Sequence, residues 1–110
     1  MTEVKIKKRE NFIESVECIG HTGYAREGED IVCASLSSIV QTAVLGVLSV
    51  AKHNAEFERD EERAYLKLTL NTKNVNSTSF HDAQIILNTM LCGICDLREG
   101  YSNYISLEVK

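Results

Sequence analysis

Asp30-Ile31-Val32-Cys33-Ala34-Ser35-Leu36-Ser37-Ser38-Ile39-Val40-Gln41-Thr42-Ala43-Val44 is the stretch around which the rest of the chain can be ordered. Asp30 is a good helix N-cap, and from it to Ala51 apolar residues recur at helical spacing through Val32, Leu36, Ile39, Val40, Ala43, Val47 and Val50. The opposite side carries Ala34, Ser35, Ser38, Thr42, Gly46 and Ser49. Small, weakly polar faces let another backbone approach closely, so this helix is expected to be sandwiched rather than exposed. Ser35, Ser37, Ser38, Gln41 and Thr42 interrupt the apolar run, which favours a buried helix over a membrane span.

Strand patterns flank it on both sides. Val4 and Ile6 alternate with Lys5 and Lys7, and a polar turn at Arg9 to Asn11 leads to a second strand, Phe12 to Ile19. After the helix, Ala55 and Phe57 alternate with Glu56 and Glu58, and Ala64, Leu66, Leu68 and Leu70 with Tyr65, Lys67 and Thr69; this predicts a second hairpin turned at Arg59 to Glu62. Ser79-Phe80-His81-Asp82 has a capping-box shape. The stripe Phe80, Ala83, Leu87, Met90, Ile94 and Leu97 then predicts a second helix ended by Gly100, and Tyr104 to Lys110 a last strand. The order ββαββαβ implies an α/β (α+β) domain over residues 1–110: one mostly antiparallel sheet with two helices packed on it.

Composition sets the class. The 110 residues include 44% hydrophobic and 25% charged side chains, an ordinary globular mixture large enough to bury a core without disulfides. The formal charge is -4, with Lys5, Lys7, Lys8 and Arg9 clustered along the first strand. Lysines at a strand edge discourage unwanted pairing, and as a nucleic-acid footprint the cluster is weak; no direct nucleic-acid partner and no membrane are expected. MTEVKIKKRENF lacks the apolar run of a secretory signal, so a cytoplasmic location with reduced cysteines is expected.

The segment Gly20 to Glu29 carries Gly20, Gly23 and Gly28 without periodicity and reads as a long, mobile loop ahead of the helix. Cys33 falls in the first helical turn, where orphan N–H groups and the positive dipole end favour an anion, as a nucleophilic thiol requires. His21, at the strand end, can fold back over that terminus. The spacing also permits a plainer reading, with Cys33 as a small buried hydrophobe on the side of Val40 and Val44. Asp30 could orient His21 or simply cap, and Ser37 could line a site or back-bond within the helix, the latter being favoured. Cys18-Ile19-Gly20-His21 and Cys92-Gly93-Ile94-Cys95 together have the ligand count of a zinc site. However, residues three apart on a strand point to opposite faces, so Cys18 and His21 converge only if Gly20 bends the chain. Cys92 and Cys95 instead suit a partly buried helix face at a subunit contact, and no metal or cofactor is expected. His53 and His81 lie at element boundaries and are expected to be solvated or capping.

Gly20-His21 followed by Gly28-x-Asp30-Ile31-Val32-Cys33-Ala34-x-x-Ser37 resembles the signature of the ribosomal-processing cysteine proteases, the Prp family. The resemblance extends over the whole chain in length and element order; Thr22 stands where alanine is usual, and Cys92 and Cys95 lie outside the signature. It implies a cysteine endopeptidase that removes a short N-terminal extension from a large-subunit ribosomal protein after an aromatic, hydrophobic segment. It further implies His21 as base, Cys33 as nucleophile, Asp30 and Ser37 in supporting roles, the Gly20 to Gly28 loop over the substrate, and a homodimer. The alternative is a non-enzymatic, dimeric, ribosome-associated module that binds a peptide at its strand edge and loop.

Overall fold

The computed structural model describes residues 1–21, 23–26 and 30–110. Strands β1 (Thr2–Arg9), β2 (Phe12–Ile19), β3 (Ala55–Asp60), β4 (Tyr65–Leu70) and β5 (Ile105–Val109) form one sheet in the order β3-β4-β2-β1-β5. Only the β1–β5 pairing is parallel. Helices α1 (Ile31–Leu45), continued by a π-helical turn over Gly46–Val50, and α2 (Thr78–Gly100) complete the order expected from the sequence. Alternation puts Val4, Ile6, Val16, Leu66 and Leu68 on one face, in a single core with Val32, Leu36, Val40 and Val44 of α1 and Ala83, Leu87 and Ile94 of α2. The other face carries Glu3, Lys5, Lys7, Glu17 and Lys67, and among the described residues no helix lies against it.

Strand β2 reaches its alignment through a bulge. Lys7 pairs with Ser15 and Lys8 with Ile13, so Glu14 is an extra residue. That resets the side-chain parity, and Ile13 and Val16, three apart, are both fully buried. Glu14 turns aside to Arg9 at 3.1 Å and Lys7 at 3.5 Å. Gln84 of α2 takes over both backbone groups of Ile13, accepting from its N–H and donating to its carbonyl, each at 2.8 Å. This amide clasp ties α2 to the hairpin that leads into the site.

Several local expectations shift. The β3–β4 turn occupies residues 61–64, two positions late, because Asp60 stays in the strand and Ala64 takes φ 49° in the turn. Phe57 is 38% exposed on the edge strand. The cap of α2 is Ser77, whose Oγ accepts from Phe80 N at 3.2 Å, rather than Ser79. Ser79 is thereby released to meet His53 Nδ1 at 2.8 Å, while His53 Nε2 donates to the Asn71 carbonyl at 2.7 Å and the ring stands edge-on to Phe80. His53 is thus a buried, fully bonded pin rather than a solvated boundary residue, whereas His81 is exposed beside Asp82.

Residues Ile31–Val50 are long and apolar enough, by length and composition, to cross a membrane, yet among the described residues only one side of this helix is covered. Ala34, Ser35, Ser38, Thr42 and Val50 are exposed, so the helix is not sandwiched within the protomer. Its small face forms an open apolar groove with Ile85, Ile86 and Met90 of α2. Gly46 and Gly93 allow the helices to meet: a Cβ on either would come within 3.2 Å or 3.3 Å of Ile86 or Ile39, respectively.

Replacing Gln84 by Leu strands two backbone groups of a fully buried residue. Urea unfolding is expected to show a loss of about 2–4 kcal/mol, with Asn88→Leu one turn along α2 costing far less.

Candidate active site

Strand β2 ends at Ile19, and Gly20 turns the chain at φ 90°, a conformation few other residues tolerate. The turn is held on three sides: Gly20 N donates to the Ala64 carbonyl at 2.8 Å, Thr2 Oγ1 donates to the Gly20 carbonyl at 2.8 Å, and a Cβ here would sit 3.2 Å from the Met1 carbonyl oxygen. His21 is therefore launched from a fixed point. Gly23 also has positive φ, 77°. Gly28, and Thr22 with it, lie outside the described residues.

Asp30 caps α1 as expected, its Oδ1 accepting from Cys33 N at 2.9 Å. Its Oδ2 accepts from Tyr24 N at 3.1 Å, so one carboxylate organises both the helix start and the loop before it. The Tyr24 ring packs edge-on against Tyr101 and Tyr104, with centroids at 5.6 Å and 5.3 Å. No periodicity marked this aromatic anchor, because its partners lie beyond the end of α2.

These constraints bring His21 Nδ1 to 4.0 Å from Cys33 Sγ. That is the outer edge of a thiol–imidazole contact, and catalytic hydrogen bonds in an empty site commonly tighten when substrate binds. Cys33 is partly exposed rather than packed away, so it is not the buried small hydrophobe of the plainer reading. Both residues open onto a cavity of about 300 Å³. Leu36, Val40, Leu66 and Cys18 contribute to its apolar side, Ser37 and Gln41 continue the α1 wall, and Arg59, Asp60 and Glu61 of the β3–β4 hairpin form a charged rim. Ser37 does not back-bond in the helix as favoured; it accepts a hydrogen bond from the Gln41 side chain.

In the sequence Cys18 stands out only as a zinc candidate. The bend at Gly20 does bring it and His21 to one cavity, but among the described residues no three His, Cys, Asp or Glu side chains could hold a metal ion. Burial, helped by nearby Glu17, pushes the Cys18 thiol up to about 12, which keeps it neutral on the cavity floor. On the other sheet face, Tyr65 donates to Glu17 at 2.6 Å, and that bond drives its phenol up to about 12. Cys92 and Cys95 are exposed on α2.

A cleft in an α/β domain, with a helix-terminal thiol facing an imidazole, is the arrangement of a cysteine peptidase. The chain belongs to the Prp cysteine protease family, whose model, Cysteine protease Prp, matches residues 1–106. It is 26% identical over 102 residues to the ribosomal processing cysteine protease Prp of Staphylococcus aureus, covering 92% of this chain and 91% of that protein. Against the Bacillus subtilis protein of the same name the identity is 23% over 97 residues, with 88% and 86% covered. The crystal structure of the S. aureus protease with a covalently linked product peptide superposes with a TM-score of 0.89, 25% identity and full coverage of both chains. The protein is thus a hydrolase of the cysteine peptidase class, and the non-enzymatic alternative is not retained.

Asp30→Ala removes the helix cap and the Tyr24 tether together, so denaturant unfolding should show a loss of about 1–2 kcal/mol, with Asp30→Asn losing less. Brief iodoacetamide treatment of native protein at neutral pH, read by peptide mass mapping, should modify Cys92 and Cys95 well before Cys18.

Proposed function

We propose that this chain is an endopeptidase of residues 1–110 that removes a short N-terminal extension from a large-subunit ribosomal protein in the cytoplasm, with Cys33 as nucleophile and His21 as general base. The observation that carries the reading is the 4.0 Å approach of His21 Nδ1 to Cys33 Sγ at the first turn of α1, beside a peptide-sized cavity. Family membership supports the substrate class, and the covalently linked product peptide of the S. aureus relative supports a covalent route.

His21 takes the Cys33 proton, and the thiolate adds to the scissile carbonyl, whose π pair moves to oxygen. As the tetrahedral adduct collapses, the C–N bond breaks and the imidazolium proton passes to the departing amine. Water, deprotonated by His21, then cleaves the thioester and frees Cys33. The α1 N-terminus places partial positive charge near the adduct, where negative charge develops on oxygen. The loop through Gly20, Gly23 and Gly28 serves as the lid over bound peptide. No cofactor enters any step.

We also infer a homodimer, with the α1–α2 groove as the shared surface, since its small residues and exposed Ile85 and Val50 leave an apolar face that a second copy would cover.

Incubation with a peptide spanning the ribosomal-protein processing site should give cleavage by wild type, none by Cys33→Ala, and a fall of at least about 10²-fold in kcat/KM for His21→Ala. Turnover by Cys33→Ala equal to wild type would sink the assignment. Sedimentation equilibrium should return twice the protomer mass, and Ser38→Arg in the groove should return a monomer that keeps its fold.

A further inference from the structure

Ser37 and Gln41 follow Cys33 at successive four-residue steps along α1, and all three line the catalytic cavity. A serine hydroxyl has one proton to donate and two lone pairs to accept with. Elsewhere on the helices, hydroxyls at such positions back-bond: Ser35 donates to the Ile31 carbonyl at 2.7 Å and Thr89 to the Ile85 carbonyl at 2.7 Å. Ser37 behaves differently. Its Oγ accepts from Gln41 Nε2 at 2.5 Å, which fills a lone pair and leaves the hydroxyl proton without an acceptor among the described residues, on a side chain that lines the cavity.

A second observation says what that proton is for. In cysteine peptidases built at a helix N-terminus, the natural donor to the tetrahedral oxyanion is the N–H of the nucleophile itself. Here Cys33 N–H is engaged by Asp30 Oδ1 at 2.9 Å, and Ala34 N–H by the Asp30 carbonyl at 3.0 Å. Side chains four apart on a helix have Cβ atoms about 5–6 Å from each other, which puts the Ser37 hydroxyl within reach of an oxygen on a carbon bonded to Cys33 Sγ.

We propose that Ser37 is a catalytic residue that donates its O–H to the oxyanion formed when Cys33 attacks, and that Gln41 is a positioning residue that aims this proton. The inference rests on the reading of Cys33 as nucleophile. Ser37 transfers no proton: its hydrogen bond strengthens as the carbonyl π pair moves onto oxygen and weakens when the carbonyl re-forms and the C–N bond breaks. Because the bond matters most in the transition state, its loss falls on kcat rather than KM.

Cleavage of the same peptide is compared in wild type, Ser37→Ala, Ser37→Thr, Gln41→Met, Gln41→Glu and the Ser37→Ala/Gln41→Met double variant, each checked by circular dichroism and thermal unfolding. Ser37→Ala is expected to lose about 10²-fold in kcat with KM within about twofold, and Ser37→Thr to keep most of the rate. Gln41→Met should lose about tenfold. Gln41→Glu, although isosteric, should lose more, because a carboxylate draws the Ser37 proton to itself. The double variant should match Ser37→Ala alone, since Gln41 acts only through Ser37. A loss carried by KM, additive effects in the double variant, or a fully active Gln41→Glu would overturn the proposal. Alkylation of Cys33 by iodoacetamide forms no oxyanion, so its rate should be unchanged in Ser37→Ala; a slowed rate would place Ser37 at the thiol instead and refute the oxyanion role. Residual cleavage by Cys33→Ala marks the other failure, that of the nucleophile assignment itself.

Discussion

The two oxygens of Asp30 hold the site together. One accepts the Cys33 N–H and the other the Tyr24 N–H, so the start of α1 and the approach of the preceding loop are set by a single buried carboxylate. A cap of this kind satisfies a donor that the first helical turn leaves without a partner, and its negative charge suits the positive end of the helix dipole. The consequence reaches beyond local stability. With the loop tied at Tyr24 and pinned at Gly20, His21 lies on a short tether whose ends are both anchored to other elements.

The sheet supplies the second anchor. Gly20 is clamped between the first residues of β1 and the turn of the β3–β4 hairpin, so the histidine's position depends on strands that are far apart in sequence. The bulge at Glu14 and the Gln84 clasp set the parity and placement of β2, which in turn decides that Cys18 faces inward beneath His21. A cavity with an apolar side and a polar α1 wall results.

Helix α1 therefore has three distinct faces. Val32, Leu36, Val40 and Val44 pack against the sheet, Cys33, Ser37 and Gln41 face the cavity, and the small residues from Ala34 to Gly46 border the open groove with α2. A helix given to three tasks lacks a clean apolar stripe, and its high mean hydropathy reflects two apolar sides, one against the sheet and one at the groove.

Much of this was legible beforehand. Period-two alternation in Val4 to Lys7 and Leu66 to Leu70, and the three-and-four spacing of Phe80 to Ile94, specify strands and helices because one face of each must leave water. Asp30 as cap follows from local chemistry alone, and the Gly20-His21 and Asp30 to Ser37 motifs carried the family. His53, expected to be solvated or capping, instead joins Asn71 and Ser79 across a gap between elements; Ser79 is released because Ser77 caps α2, and Ser37, expected to back-bond, accepts from Gln41 one turn on. The small face of α1 was expected to be covered, but among the described residues no element lies over it and α2 only borders it. The amino-acid sequence by itself determined the order of elements and the Asp30 cap of α1, because each follows from local side-chain chemistry and periodicity. Only the tertiary structure decided the distance between His21 and Cys33 and the neutral Cys18 beneath them, because each depends on contacts between segments that local pattern does not join.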